Sequence, residues 1–123
     1  MARILLIEDD DLVRNMLSLT LTHFGHTVIE AKNGKEGLQL FPQVNADLLI
    51  TDLVKPEKEG FEILLELRNH RPPVKIIVIS GGLRGETANY LEMAKRLGAA
   101  KALAKPFSNV ALLAAIDEVL TAG

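Results

Sequence analysis

Five times along this chain a short apolar run is followed by a longer segment whose apolar residues recur at helical spacing. Short continuous apolar runs read as strands buried on both faces, and their alternation with helical segments is the pattern of successive βαβ units around a parallel sheet. The runs are about Arg3 to Glu8, His26 to Ala31, Asp47 to Asp52, Val74 to Ser80 and Lys101 to Ala104. The first helical segment carries Leu12, Val13, Met16, Leu17, Leu21 and Phe24 and is expected to stop at Gly25, as a C-terminal cap. The second is expected from Gly34 to about Phe41, broken by Pro42. The third follows a loop with Pro56 and Gly60 and is expected from about Phe61 to Asn69. The fourth is expected from about Thr87 to Leu97, stopped by Gly98, and the last from an N-cap at Ser108 to Leu120. Right-handed crossovers put such helices on both faces of the sheet.

Three of the runs end on ionic residues. Ile4 to Ile7 meets Glu8, Asp9, Asp10 and Asp11; Leu48 to Thr51 meets Asp52; Ala102 to Ala104 meets Lys105 and Pro106. Parallel strands present their carboxyl ends at one edge, where open α/β sheets bind ligands, so these charges converge on one crevice. Two or three carboxylates there need a cation, and ligands of this hardness suit Mg²⁺. Capping explains two of the four consecutive acids, since acids favour the first turn of a helix and Asp is a good N-cap. It accounts less well for Glu8 and Asp9, at the end of a buried strand where unpaired charge is costly. An aspartate beside Mg²⁺ is a nucleophile for phosphoryl groups, and a lysine ammonium suits the acyl phosphate that forms. The Ser80 hydroxyl, at the same edge, is placed to donate to a phosphoryl oxygen.

Composition narrows the classes. At 123 residues the chain reads as a single domain, 1–123, with a sizeable core and no room for a separate effector module. A net charge of -2 supplies no field to draw it onto nucleic acid or an anionic membrane. The absence of cysteine removes disulfide and thiol chemistry and fits a reducing, cytoplasmic setting. The first apolar run is too short for a signal segment or a membrane span.

The segments IEDD at the start, TDLVKPEKEG around Asp52, VISGG at the fourth run and LAKPF at the fifth, in that order, resemble the receiver domain of two-component response regulators. The resemblance covers essentially the whole chain. It implies a flavodoxin-like, doubly wound five-stranded parallel sheet of order 2-1-3-4-5 with five helices. It makes Asp52 the phosphoacceptor, Glu8 and Asp9 the acidic pair for Mg²⁺, and the Val54 backbone carbonyl a further ligand. Ser80 and Lys105 take the phosphoryl-binding positions, and Lys105–Pro106 the position of a cis peptide. The phosphodonor is then a histidine kinase or a histidine phosphotransfer protein, and the output a downstream protein target. The protein is expected to be a monomer or weak dimer that catalyses only its own phosphorylation and dephosphorylation.

Two features depart from the family pattern. The position of the inward-swinging aromatic, three before the lysine, is Ala102, and the connection after Ser80 carries Gly81-Gly82-Leu83-Arg84-Gly85. That glycine-rich stretch lacks the Lys-Ser/Thr ending of a phosphate-binding P-loop and reads as a flexible loop. Val54 and Gly82, two residues after Asp52 and Ser80, offer no side chain to orient a water, which points to slow hydrolysis of the acyl phosphate. Leu12 and Met16, one turn apart, and Phe107 are the expected docking residues for the donor. The histidines read as loop residues, Tyr90 as a packing residue, and the last helix as a core helix or an interface.

Rival readings differ in class. A Mg²⁺ phosphatase of the haloacid dehalogenase type needs an acid where Val54 stands. A flavodoxin's phosphate would be repelled by Glu8 to Asp11. Within the receiver class the expected form is a stand-alone receiver, either a phosphorelay intermediate or a binding switch, with a detached input domain of a larger regulator as the alternative.

Overall fold

The computed structural model describes the backbone at residues 2–52, 57–70, 72–80 and 87–121, and side chains at the same positions except 57–61 and 87–91. Strands and helices alternate: β1 Arg3–Ile7, α1 Asp11–His23, β2 Thr27–Ala31, α2 Gly34–Val44, β3 Leu48–Asp52, α3 Glu57–Leu67, β4 Ile76–Ser80, α4 Thr87–Arg96, β5 Lys101–Ala104 and α5 Asn109–Thr121. The strands form one sheet of order β2-β1-β3-β4-β5 with every pairing parallel.

Strand side chains alternate between faces, and the two faces carry separate cores. Ile4, Leu6, Leu48, Ile50, Ile77 and Ile79 pack with Leu21 of α1 and Leu112, Ala115, Ile116 and Val119 of α5. Leu5, Ile7, Leu49, Ile76 and Val78 point the other way, onto Ile63, Leu64 and Leu67 of α3 and Ala94 of α4, with Leu38 and Phe41 of α2 beside them. Double burial is why the strands read as continuous apolar runs rather than alternating ones.

Most helix boundaries follow their punctuation. Asp10 caps α1, its Oδ1 accepting from the Leu12 and Val13 amides at 2.9 and 3.1 Å. Ser108 Oγ accepts from the Ala111 amide at 3.0 Å at the head of α5. Gly25 and Gly98, with φ of 95° and 114°, turn the chain out of α1 and α4 through the left-handed region that side chains rarely enter.

Two expectations fail. Pro42 does not break α2, which continues to Val44 and ends at Asn45 in the left-handed conformation. Pro42 sits in the exposed final turn, where one backbone bond is lost, while Phe41 and Val44 still pack into the core. The terminal Val44 carbonyl accepts from Arg3 Nε at 2.7 Å, so the early end is not needed to satisfy it. The third helix starts at Glu57 rather than Phe61, because Glu57, Lys58 and Glu59 are good helix formers and Gly60 only weakens a helix. It also ends at Leu67, two residues short of Asn69. The positions of Val54, Pro56 and the Gly81 to Gly85 loop lie outside the described residues, as does the Tyr90 side chain.

Candidate functional site

Register brings the acids together. Ile7 of β1 pairs with Thr51 of β3, so the next residues, Glu8 and Asp52, leave neighbouring strands side by side. Glu8 is held in place by its amide, which donates to the Ala31 carbonyl at 3.0 Å. Glu8, Asp9 and Asp52 each offer a carboxylate oxygen within 4.8 Å of the other two. Glu8 is 2% exposed, whereas Asp9 is open to solvent. Asp10, which shares the acidic run, spends its carboxylate on the α1 cap instead.

Lys105 reaches this cluster from the far side of β4. Ser80 pairs with Ala104, and the Lys105 amide donates to the Ser80 carbonyl at 2.8 Å, fixing the chain as it leaves β5. From there Lys105 Nζ donates to Asp52 Oδ2 at 2.9 Å and to Glu8 Oε1 at 3.4 Å. The following Lys105–Pro106 peptide is cis. Ser80 is fully buried at the end of β4, on the same edge.

The electrostatics are unbalanced. Among the described residues three carboxylates face one ammonium, and Glu8 is pushed up to about 7 by burial, by its hydrogen bond to Asp52 and by the Asp52 charge, against the pull of Lys105. Burial alone would lower Lys105; its contacts with Asp52 and then Glu8 more than offset this and raise it. Crowded hard oxygen donors with excess negative charge fit a small divalent cation such as Mg²⁺. Glu8, Asp9 and Asp52 are the side chains that could hold it; the expected Val54 ligand lies outside the described residues.

The chain matches the response regulator receiver domain family over residues 4–117. It belongs to that family. The domain is 36% identical over 97% of its length to the sensor kinase CckA of Brucella abortus (strain 2308), spanning 12% of that protein. It is 34% identical over 97% of its length to the transcriptional regulatory protein GlrR of Escherichia coli (strain K12), spanning 26% of it. The chain thus spans only a fraction of these curated relatives. A solved response regulator receiver domain protein from Clostridium thermocellum superposes with a TM-score of 0.85 at 30% identity, covering 98% of this chain and 94% of that one. Receiver domains interact with histidine kinases and downstream targets, and signal as switches rather than turning over a substrate.

The remaining sequence candidates fall around the receiver's edge. Ala102 is half-buried on β5, paired with Val78, and no aromatic stands there. Leu12 and Met16 are 69% and 60% exposed on α1, whereas Phe107 packs partly buried against the core of the α1–α5 face. His23 and His70 are exposed, but His23 ends α1 rather than lying in a loop. His26 is half-buried and structural, its Nδ1 accepting from the Ala2 amide at 3.2 Å. The last helix buries Leu112, Ala115, Ile116 and Val119, as a core helix does, and leaves Val110 77% exposed.

Arg14 was not legible from the sequence. Its guanidinium reaches back to the Glu8 carbonyl at 2.8 Å. An arginine five positions after Asp9, on the inner side of the first turn of α1, is the signal that could have pointed to it. Among the described residues the buried Thr51 hydroxyl, one position before Asp52, has no hydrogen-bond partner.

Proposed function

We propose that this domain is a phosphoacceptor switch in a two-component or phosphorelay system, phosphorylated on Asp52 in a Mg²⁺-dependent reaction. The observation that carries this reading is the convergence of the Glu8, Asp9 and Asp52 carboxylates within 4.8 Å, with Lys105 Nζ 2.9 Å from Asp52. A carboxylate oxygen of Asp52 attacks the phosphorus of a phosphohistidine; the P–O bond forms as the P–N bond breaks, and the imidazole leaves. Glu8, Asp9 and Asp52 would hold Mg²⁺, which would supply positive charge to offset the negative charge gathered on the transferring group. Lys105 holds one Asp52 oxygen in place and supplies a cation for the phosphoryl oxygens; Ser80 supplies a hydroxyl at the same edge.

The donor is a histidine kinase or histidine phosphotransfer protein docking across the exposed Leu12 and Met16 and the Pro106-Phe107 turn, since its histidine must reach Asp52 in line. The signal leaves through contacts with a downstream protein. The spans of 12% and 26% within CckA and GlrR favour a second arrangement, in which this domain is the receiver module of a larger protein.

Acetyl phosphate with and without Mg²⁺, read by intact-mass spectrometry, tests the assignment. One phosphoryl group should be added only with metal, none to Asp52→Asn, and Met16→Glu should lose transfer from a protein donor while keeping acetyl phosphate labelling. Labelling that survives Asp52→Asn overturns the phosphoacceptor.

A further inference from the structure

Asp9 supplies one of the three clustered oxygens, yet its side chain is exposed and among the described residues no other side chain holds its carboxylate. Its position is therefore set by the backbone on either side. After it, Asp10 is fixed as the α1 cap. Before it, the peptide that joins Glu8 to Asp9 is gripped through its oxygen: Arg14 Nη1 donates to the Glu8 carbonyl at 2.8 Å.

The guanidinium making this contact is itself anchored at two further points. Arg14 Nη2 meets Asp11 Oδ1 at 2.5 Å, and Nε meets Glu30 Oε1 on β2 at 3.3 Å, with the Arg14 side chain only 15% exposed. One planar fork thus joins the first turn of α1, the edge strand β2 and the peptide plane that carries Asp9. An ammonium is a point charge and cannot hold three partners in that fixed geometry.

We propose that Arg14 is the positioning residue of the metal site, orienting the Glu8–Asp9 peptide so that the Asp9 carboxylate faces those of Glu8 and Asp52. The inference rests on the metal-binding reading above. Two carboxylates, Asp11 and Glu30, neutralise the guanidinium, so that it can hold the acidic turn without repelling a divalent ion.

The sign of the effect separates this role from a simple electrostatic one. A cation close to a metal site weakens metal binding by repulsion, so removing it should tighten binding; a positioning group does the reverse. Mg²⁺ titration of the full chain by calorimetry, with acetyl phosphate labelling rates at saturating Mg²⁺, reads both. Arg14→Met and Arg14→Lys should each weaken Mg²⁺ about tenfold, the size usual for groups that orient a metal ligand, with the saturated labelling rate unchanged. Tighter binding in Arg14→Met with wild-type affinity in Arg14→Lys would show that only charge matters and overturn the proposal. A lower melting temperature with unchanged Mg²⁺ affinity in the folded protein overturns it in favour of a purely structural arginine. Should Arg14→Met not fold, Arg14→Lys decides alone. Asp9→Asn is the control: if it binds Mg²⁺ like the wild type, the metal site itself is misassigned. If Asp9→Asn is weakened and the Arg14 variants are not, only the role of Arg14 falls.

Discussion

At the scale of single residues, neighbours on β3 have opposite fates. Asp52 ends the strand in contact with Lys105, whereas the hydroxyl of Thr51, fully buried one position earlier, meets no partner among the described residues. A buried hydroxyl without a hydrogen bond forfeits its hydration for nothing in return. Thr51→Val keeps the branched shape and removes that loss, so it should stabilise the domain by about 1 kcal/mol, read from urea denaturation. A destabilised Thr51→Val would mean that the hydroxyl has a partner after all. Single residues were also where the sequence was most and least informative. Asp52 and Lys105 stood out only in combination with the acids after the first run, because alone one reads as an ordinary strand-end acid and the other as a solvated lysine. Arg14 did not, because an arginine inside an amphipathic helix looks like any solvated side chain until Glu8, just past β1, and Glu30 on β2 are in place.

At the scale of elements, a tight approach of α2 to β1 explains a glycine. A Cβ on Gly37 of α2 would lie 2.3 Å from Cδ1 and 2.7 Å from Cγ1 of Ile7. Ile7 is 4% exposed and precedes Glu8, so it has little room to rotate. Alanine gains about 1 kcal/mol over glycine in a helix interior, but overpacking of a buried contact costs about 1–3 kcal/mol. Gly37→Ala should therefore be destabilising despite its helix preference. Ile7→Val, which removes Cδ1, should recover part of the loss in a double-mutant cycle on equilibrium unfolding; additive effects would show that the contact is not the cause. The same logic accounts for what element boundaries concealed. Pro42 reads as a stop when only its missing amide is considered, yet the packing of Phe41 and Val44 carries α2 past it.

At the scale of the whole molecule, the proposed site ties three strand ends together with more negative than positive charge, so it should be a weak point until a cation is bound. Metal that binds only the folded state stabilises it by about 1.4 kcal/mol at ten times Kd. Thermal unfolding should show the wild type rising with Mg²⁺. Asp9→Asn should unfold at a higher temperature without metal, because one repulsive charge is gone, and gain little from Mg²⁺; Asp10→Asn should keep the Mg²⁺ response, because Asp10 is a cap. An Asp9→Asn protein that gains as much as the wild type would place the ion elsewhere.

The order of the elements, their types and the edge on which the charges gather were determined by the sequence alone, because period, punctuation and strand-end charge are local properties. Tertiary structure alone decided how far the acids converge: the pairing of Ile7 with Thr51 and of Ser80 with Ala104 fixes which strand-end residues touch. It also decided that Glu8 is buried beside Asp52 and raised to about 7, and that Lys105 spans to both. Those are consequences of register and packing between segments far apart in the chain, and no local pattern encodes a distance across a sheet.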